Sequence, residues 1–257
     1  MSIILLLAAC SSDYAVQGQL EDGVFGGPIG GFELIASADA PDKVALFCAK
    51  KAGMANDDGS FRIDGLCAGT SYTVSSPSDV MIPDLEQIPD GGFGGPKSAK
   101  AFRAPGGDGF YLLTQAEGLK PASTNVGFRT DALEDGTAIR YPSKLVPKAP
   151  LLADNVVLLA TGAMTEVPFR AMPAHPEGLK VAGGTLPPLR TVGEPVDTNA
   201  ASVEAVVVGD HKIHIYKPGV VPDGRYSLLA DGAQRMLVLD VGTAQPTKVG
   251  APEEAGK

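Results

Sequence analysis

Imidazoles, thiols and clustered carboxylates are the side chains through which this chain could do chemistry, and they are few. There are three histidines. His211 and His214 fall on one predicted strand, and a separation of three puts them on opposite faces, because strand side chains alternate. A shared metal site would need a bulge between them. His175 lies between Pro173 and Pro176 and is expected to be a solvated loop residue. Asn56-Asp57-Asp58-Gly59 offers clustered oxygens. It reads first as a β-turn, since Asn, Asp and Gly tolerate positive φ; calcium binding is the alternative, but the oxygen spacing and distal Glu of an EF-hand loop are missing. The sequence contains no G-x-S-x-G elbow, H-E-x-x-H helix or G-x-x-x-x-G-K-[ST] phosphate loop. Paired carboxylates for glycoside cleavage meet only in three dimensions, so the sequence leaves them open. The low aromatic content and absence of Trp count against a sugar-stacking groove. No catalytic, cofactor or metal residue is assigned.

Composition sets the class of protein that must carry these groups. The chain has 257 residues, with 32 Gly, 21 Pro and 6% aromatics. Such turn-rich composition favours many short strands over long helices. A hydrophobic content of 44% is enough for a packed core. The formal charge of −9 argues against a nucleic-acid partner, which needs a basic surface, and against polybasic adhesion to anionic lipid.

The first ten residues, MSIILLLAAC, form an apolar run closed by small residues and a cysteine. Leu7-Ala8-Ala9-Cys10 resembles the lipobox of bacterial lipoproteins. Only Met1 and Ser2 precede the run, where secretory leaders carry Lys or Arg, and the run is shorter than the roughly 20 residues that span a bilayer. A buried N-terminal strand is the alternative, and the polar Ser11-Ser12-Asp13 counts against it. The resemblance implies that residues 1–10 are a signal peptide ending at a lipidated Cys10. Ser11, not Asp, follows the cysteine, which implies the outer membrane. Several acyl chains would make attachment stable. With Cys10 set aside, Cys48 and Cys67 remain, and an oxidising compartment favours a disulfide between them. The alternative is two buried free thiols.

Alternation predicts strands near Ala15–Leu20, Phe32–Ala36, Lys43–Lys50, Ser60–Asp64 and Thr70–Ser75. The run Asp58-Gly59-Ser60-Phe61-Arg62-Ile63-Asp64-Gly65-Leu66-Cys67-Ala68-Gly69-Thr70-Ser71-Tyr72-Thr73-Val74 resembles the carboxypeptidase regulatory-like module, a transthyretin-like β-sandwich. There Gly59 and Gly65 make turns, and Phe61, Ile63, Leu66, Tyr72 and Val74 fill the core. The module is a packing or adhesion unit without catalytic residues. Residues 77–110 read as long Gly/Pro loops, and Pro142–Pro150 as a linker. Later strands are expected at Phe110–Thr114, Asn125–Arg129, Val156–Ala160 and Glu166–Met172, followed by a proline-rich loop to Pro195. Glu204–Lys217 and Arg225–Val241 read as two hairpins forming one four-stranded meander.

The expected organisation is all-β: a transthyretin-like β-sandwich over residues 11–141, the linker 142–150, a second antiparallel β-rich domain over 151–245, and a frayed tail over 246–257. The expected function is a non-catalytic structural or protein-interaction module of the cell envelope. It would be held to the outer membrane through Cys10 and would dock another envelope protein. The alternative is an envelope hydrolase or small-ligand-binding protein with a pocket between the two β regions.

Overall fold

The computed structural model describes residues 14–77, 79–85, 87–88, 96–122, 125–165, 167–196, 203–208, 210–217, 221–230, 232 and 234–242. The lipobox with Cys10 and the tail 246–257 lie outside the described residues. The architecture is nearly all β, with several antiparallel sheets in a sandwich-like arrangement. Two compact units are formed, residues 1–108 with 205–213 and residues 109–204 with 214–257.

The first unit holds strands β1 (Tyr14–Asp22), β2 (Phe32–Ala38), β3 (Lys50–Ala55), β4 (Ser60–Leu66), β5 (Tyr72–Ser75), β6 (Val80–Met81), β7 (Gln87–Ile88) and β8 (Pro96–Arg103). They form one sheet in the order β6-β8-β1-β4-β3-β2-β5-β7. Its edge strands β6 and β7 are separated in the chain only by residues 82–86. Six residue steps reach at most about 20 Å, whereas eight flat strands would hold their edges about 33 Å apart. The sheet therefore curls until it is nearly closed. Its interior is filled by Val16, Leu20, Leu34, Phe61, Ile63, Leu66, Tyr72 and Val74, joined by Leu85 from the connection between the two edges and Ile88 of β7.

Two glycines are fixed by close approach. β1 pairs antiparallel with β4 and parallel with β8, and a Cβ on Gly18 would sit 1.8 Å from the Lys97 carbonyl oxygen. Gly59, at φ +81°, closes the turn into β4, where a Cβ would meet the Leu20 carbonyl oxygen at 2.5 Å. The parallel strand β8 lies within the segment read as loops. Its inward residues Ala99 and Ala101 are too small to give a strong alternating signal.

The stretch Lys43–Lys50 is not a strand. It forms a 3-10 turn (Pro41–Lys43) and a single helical turn α1 (Leu46–Ala49), and the strand begins only at Lys50. Alternation misleads here because neither face of the stretch is buried as a whole: Leu46 and Phe47 are both exposed. The turn is held instead by the bridge from Cys48 to Cys67, with a Cα–Cα separation of 5.8 Å.

The second unit begins with β9 (Gly109–Thr114), β10 (Gly118–Pro121), β11 (Asn125–Ala132), β12 (Ala138–Pro142), β13 (Leu151–Leu152), β14 (Val156–Thr161) and β15 (Phe169–Ala171). The proline-rich stretch that follows is not one loop. It forms two ribbons, β16 (Ala174–His175) with β19 (Leu189–Arg190), and β17 (Leu179–Val181) with β18 (Gly184–Leu186). The last strands in the chain are β20 (Val203–Val208) and β21 (His211–Tyr216), whose residues 205–213 are counted with the first unit, and β22 (Gly224–Ala230) and β23 (Arg235–Val241) of the second.

These two hairpins do not form one meander. One sheet runs β10-β9-β14-β21-β20, the other β12-β11-β23-β22-β15, with β13 as its sixth strand, paired parallel to β23 off that path. Val221, in the connection, is buried in the core between the sheets together with Phe110, Leu158, Phe169, Tyr216, Leu228, Leu237 and Leu239. Residues 142–150 lie within the second unit, where Val146 and Ala149 pack on a smaller cluster of Val126, Met172, Leu229, Met236 and Val238.

Candidate functional site

The six-stranded sheet of the second unit is apolar on both faces. Along β23, Leu237 and Leu239 point into the main core, while Met236 and Val238 face the smaller cluster. That second face is only partly covered. The segment leaving β12 folds over it, anchored by the Ser143 amide to the Gly127 carbonyl (2.8 Å). The ribbon strands β18 and β19, joined through Pro187-Pro188, approach from the other side. Between them lies a cleft of about 410 Å³, within the range of roughly 300–1,000 Å³ usual for ligand pockets.

Met172, Val238, Leu186 and Leu189 supply apolar lining, and Arg129, Lys144, Arg190 and Arg225 supply charge. Among the described residues, no Asp, Glu, His or Cys lines the cleft. Met172 and Val238 are buried, whereas Arg129, Lys144 and Arg190 are exposed at the rim. Leu145 is 82% exposed beside them.

The cations are not equally available. Arg225 forks onto Asp240, with Nε–Oδ1 at 2.7 Å and Nη2–Oδ2 at 2.9 Å, and its Nη1 donates to the Val146 carbonyl at 3.0 Å. The hydrogen bond to Asp240 holds this guanidinium above its ordinary pKa, against the opposing effect of burial. Arg225 therefore builds the floor and ties residues 142–150 to the sheet. Arg190 donates to the Met172 carbonyl at 2.6 Å. Tyr141 donates to Asp131, which raises the phenol above its usual range, as do burial and the Asp131 charge; Arg129 pulls the other way. Ser227, fully buried, stands opposite Val238 across β22 and β23 and so shares its face. Its hydroxyl has no hydrogen-bond partner among the described residues.

The residues singled out from sequence go elsewhere. His211 is exposed and lines a smaller cavity of about 210 Å³ in the first unit with Asp79. His214, on the same strand, is buried. His175 is not a solvated loop residue. It lies half-buried on β16, where its Nε2 meets the Thr191 hydroxyl at 2.9 Å, because the β16–β19 ribbon brings the two segments together. The Asn56–Gly59 segment is a turn: Gly59 N–H donates to the Asn56 carbonyl at 2.8 Å, and the Asp58 carboxylate accepts from the Ser60 amide and hydroxyl at 2.9 and 2.6 Å. Those bonds to Ser60 hold the Asp58 carboxyl below its usual range. Among the described residues no three His, Cys, Asp or Glu side chains are grouped to hold a metal ion. Cys48 and Cys67 form the expected disulfide.

The cleft cations were missed by sequence reading. The available signal was local charge: residues 136–153 contain Arg140, Lys144 and Lys148 and no acid, in a chain of net charge −9. No family model, curated protein or solved structure matches the chain.

Proposed function

We propose that this protein is a non-catalytic binding module of the bacterial cell envelope, lipid-anchored at Cys10 on the outer membrane, whose second unit binds a ligand with an apolar body and a carboxylate end. The cleft carries this reading: its buried floor is apolar, and its rim offers three exposed cations, with no acid among the described lining residues. An anion at that rim would meet exposed positive charge, while its apolar part would cover Met172 and Val238. Of the lining hydroxyls, Tyr141 gives its proton to a hydrogen bond with Asp131, which holds the phenol protonated by raising it above its usual range, and Ser143 has no imidazole among the described lining residues to activate it, which favours binding over hydrolysis. The Cys48–Cys67 bridge is consistent with an oxidising compartment. The resemblance of residues 58–74 to a carboxypeptidase regulatory-like, transthyretin-like module supports a packing or adhesion role for the first unit.

An aliphatic carboxylate has two sources in the envelope, a fatty acid and the C-terminus of a protein partner. Calorimetric titration with dodecanoate, and with a leucine-ending peptide as free acid and as amide, separates them. Binding of either carboxylate, weakened by Arg190→Glu and Lys144→Glu, is the expected result. If neither acid binds, or if peptide amide and acid bind equally, the reading fails.

A further inference from the structure

The first unit holds two large apolar side chains out into solvent. Leu46 is 92% exposed and Phe47 53% exposed, next to each other on α1. Single exposed apolar residues are ordinary on protein surfaces, but this pair is held in place from below. Cys48 is bridged to Cys67. The buried Tyr72 hydroxyl donates to the Cys48 carbonyl at 3.0 Å and accepts from the Cys67 amide at 3.1 Å. The conformation that displays Leu46 and Phe47 is thus fixed before any partner arrives.

The surrounding charge names the partner. Residues 43–55 contain Lys43, Lys50 and Lys51 and no acid. Lys43 and Lys50 are exposed, and the Lys51 ammonium lies 6.0 Å from the centre of the Phe47 ring. Asp42 precedes Lys43 and offsets one charge, which leaves Lys50 and Lys51 in surplus. An apolar tip ringed by lysines is the arrangement of a membrane-interface contact, in which the rings and aliphatic groups enter the headgroup region and the ammonium groups stay among phosphates. The acidic parts of the molecule would be repelled by an anionic surface, which favours approach through a basic spot such as this one.

We infer that the disulfide-braced tip Leu46–Phe47, with Lys43, Lys50 and Lys51, inserts into the headgroup layer of an anionic lipid surface. This contact is separate from the anchor at Cys10 and orients the first unit against a membrane.

The chain has no tryptophan, so Phe47→Trp in a Cys10→Ser background gives a single reporter at the tip. With phosphatidylglycerol vesicles, its emission should shift to the blue and be quenched by lipids brominated near the headgroup. Lys50→Glu with Lys51→Glu should weaken vesicle affinity about tenfold or more at low salt, and raised salt should do the same to the unaltered lysines. Flotation of the Leu46→Ser/Phe47→Ser variant beside the parent chain, both in the Cys10→Ser background, checks the same point without the reporter; the variant should float less. No emission change with anionic vesicles overturns the inference, as does an equal, salt-independent change with neutral phosphatidylcholine vesicles. A concentration-dependent shift without vesicles would assign the tip to a second copy of the chain instead.

Discussion

Tyr72 joins two chain segments through one oxygen. It is fully buried, and its hydroxyl meets both backbone groups beside the disulfide. Tyr72→Phe keeps the ring in the core and leaves a carbonyl and an amide short of a partner, so it should cost about 1–3 kcal/mol, measured by urea unfolding; an unchanged midpoint would refute the bracing role. Two other tyrosines bear on alkaline behaviour. Tyr141 is raised chiefly by its bond to Asp131, Tyr226 by burial and then by Asp223. A raised folded-state value contributes stability fully present below the unfolded phenol value of about 10 and lost as pH climbs through the folded value. Tyrosinate absorbance should therefore rise in two parts, the later one reduced by Tyr141→Phe; a single ordinary titration would contradict the geometry. At this scale the sequence was legible where a residue's role depends on near neighbours or compartment, as for Gly59 and the Cys48–Cys67 pair. It was not legible for His175, whose partner Thr191 arrives only when β16 meets β19.

Strands with large inward side chains could be read directly, and strands with small ones could not. β4 shows Phe61 and Ile63 on its buried face, whereas β8 shows Ala99 and Ala101. Yet β8 is the strand that approaches β1 closely, which is what Gly18 permits. Gly18→Ala would drive a methyl group into the Lys97 carbonyl and should cost more than about 3 kcal/mol, with the loss visible in thermal unfolding. A neutral substitution there would mean that β1 and β8 are not paired as described. The misread helical turn at Leu46 has a different cause: a disulfide and a buried tyrosine override local alternation, and neither acts through periodicity. The two late hairpins were legible one by one, but their assignment to separate sheets depends on where the connection through Val221 is buried.

Each unit has its own core, and the features described divide between them: the disulfide belongs to the first and the cleft to the second. Reduction should remove about 3 kcal/mol from the first unit on the chain-entropy account, while the carboxylate affinity proposed for the cleft stays the same below the melting range. Calorimetry with and without reductant tests this, and loss of cleft affinity on reduction would show that the division is wrong. Overall class was legible because Gly, Pro and short alternating runs permit little else. The cleft was not, because its lining comes from segments more than 100 residues apart, from Arg129 to Val238.

The central position of β1 has a consequence in time. Gln17 waits for its parallel partner Pro96, 79 residues later, and at about 5–20 residues per second of synthesis that is a delay of about 4–16 s. The other edge of β1 is taken earlier, by β4, so one row of backbone groups on β1 stays open over that interval, and residues 205–213, which also belong to this unit, come later still. β1 is thus half-paired for that interval, and a chain with this topology has an open strand edge to protect before its sheet can close.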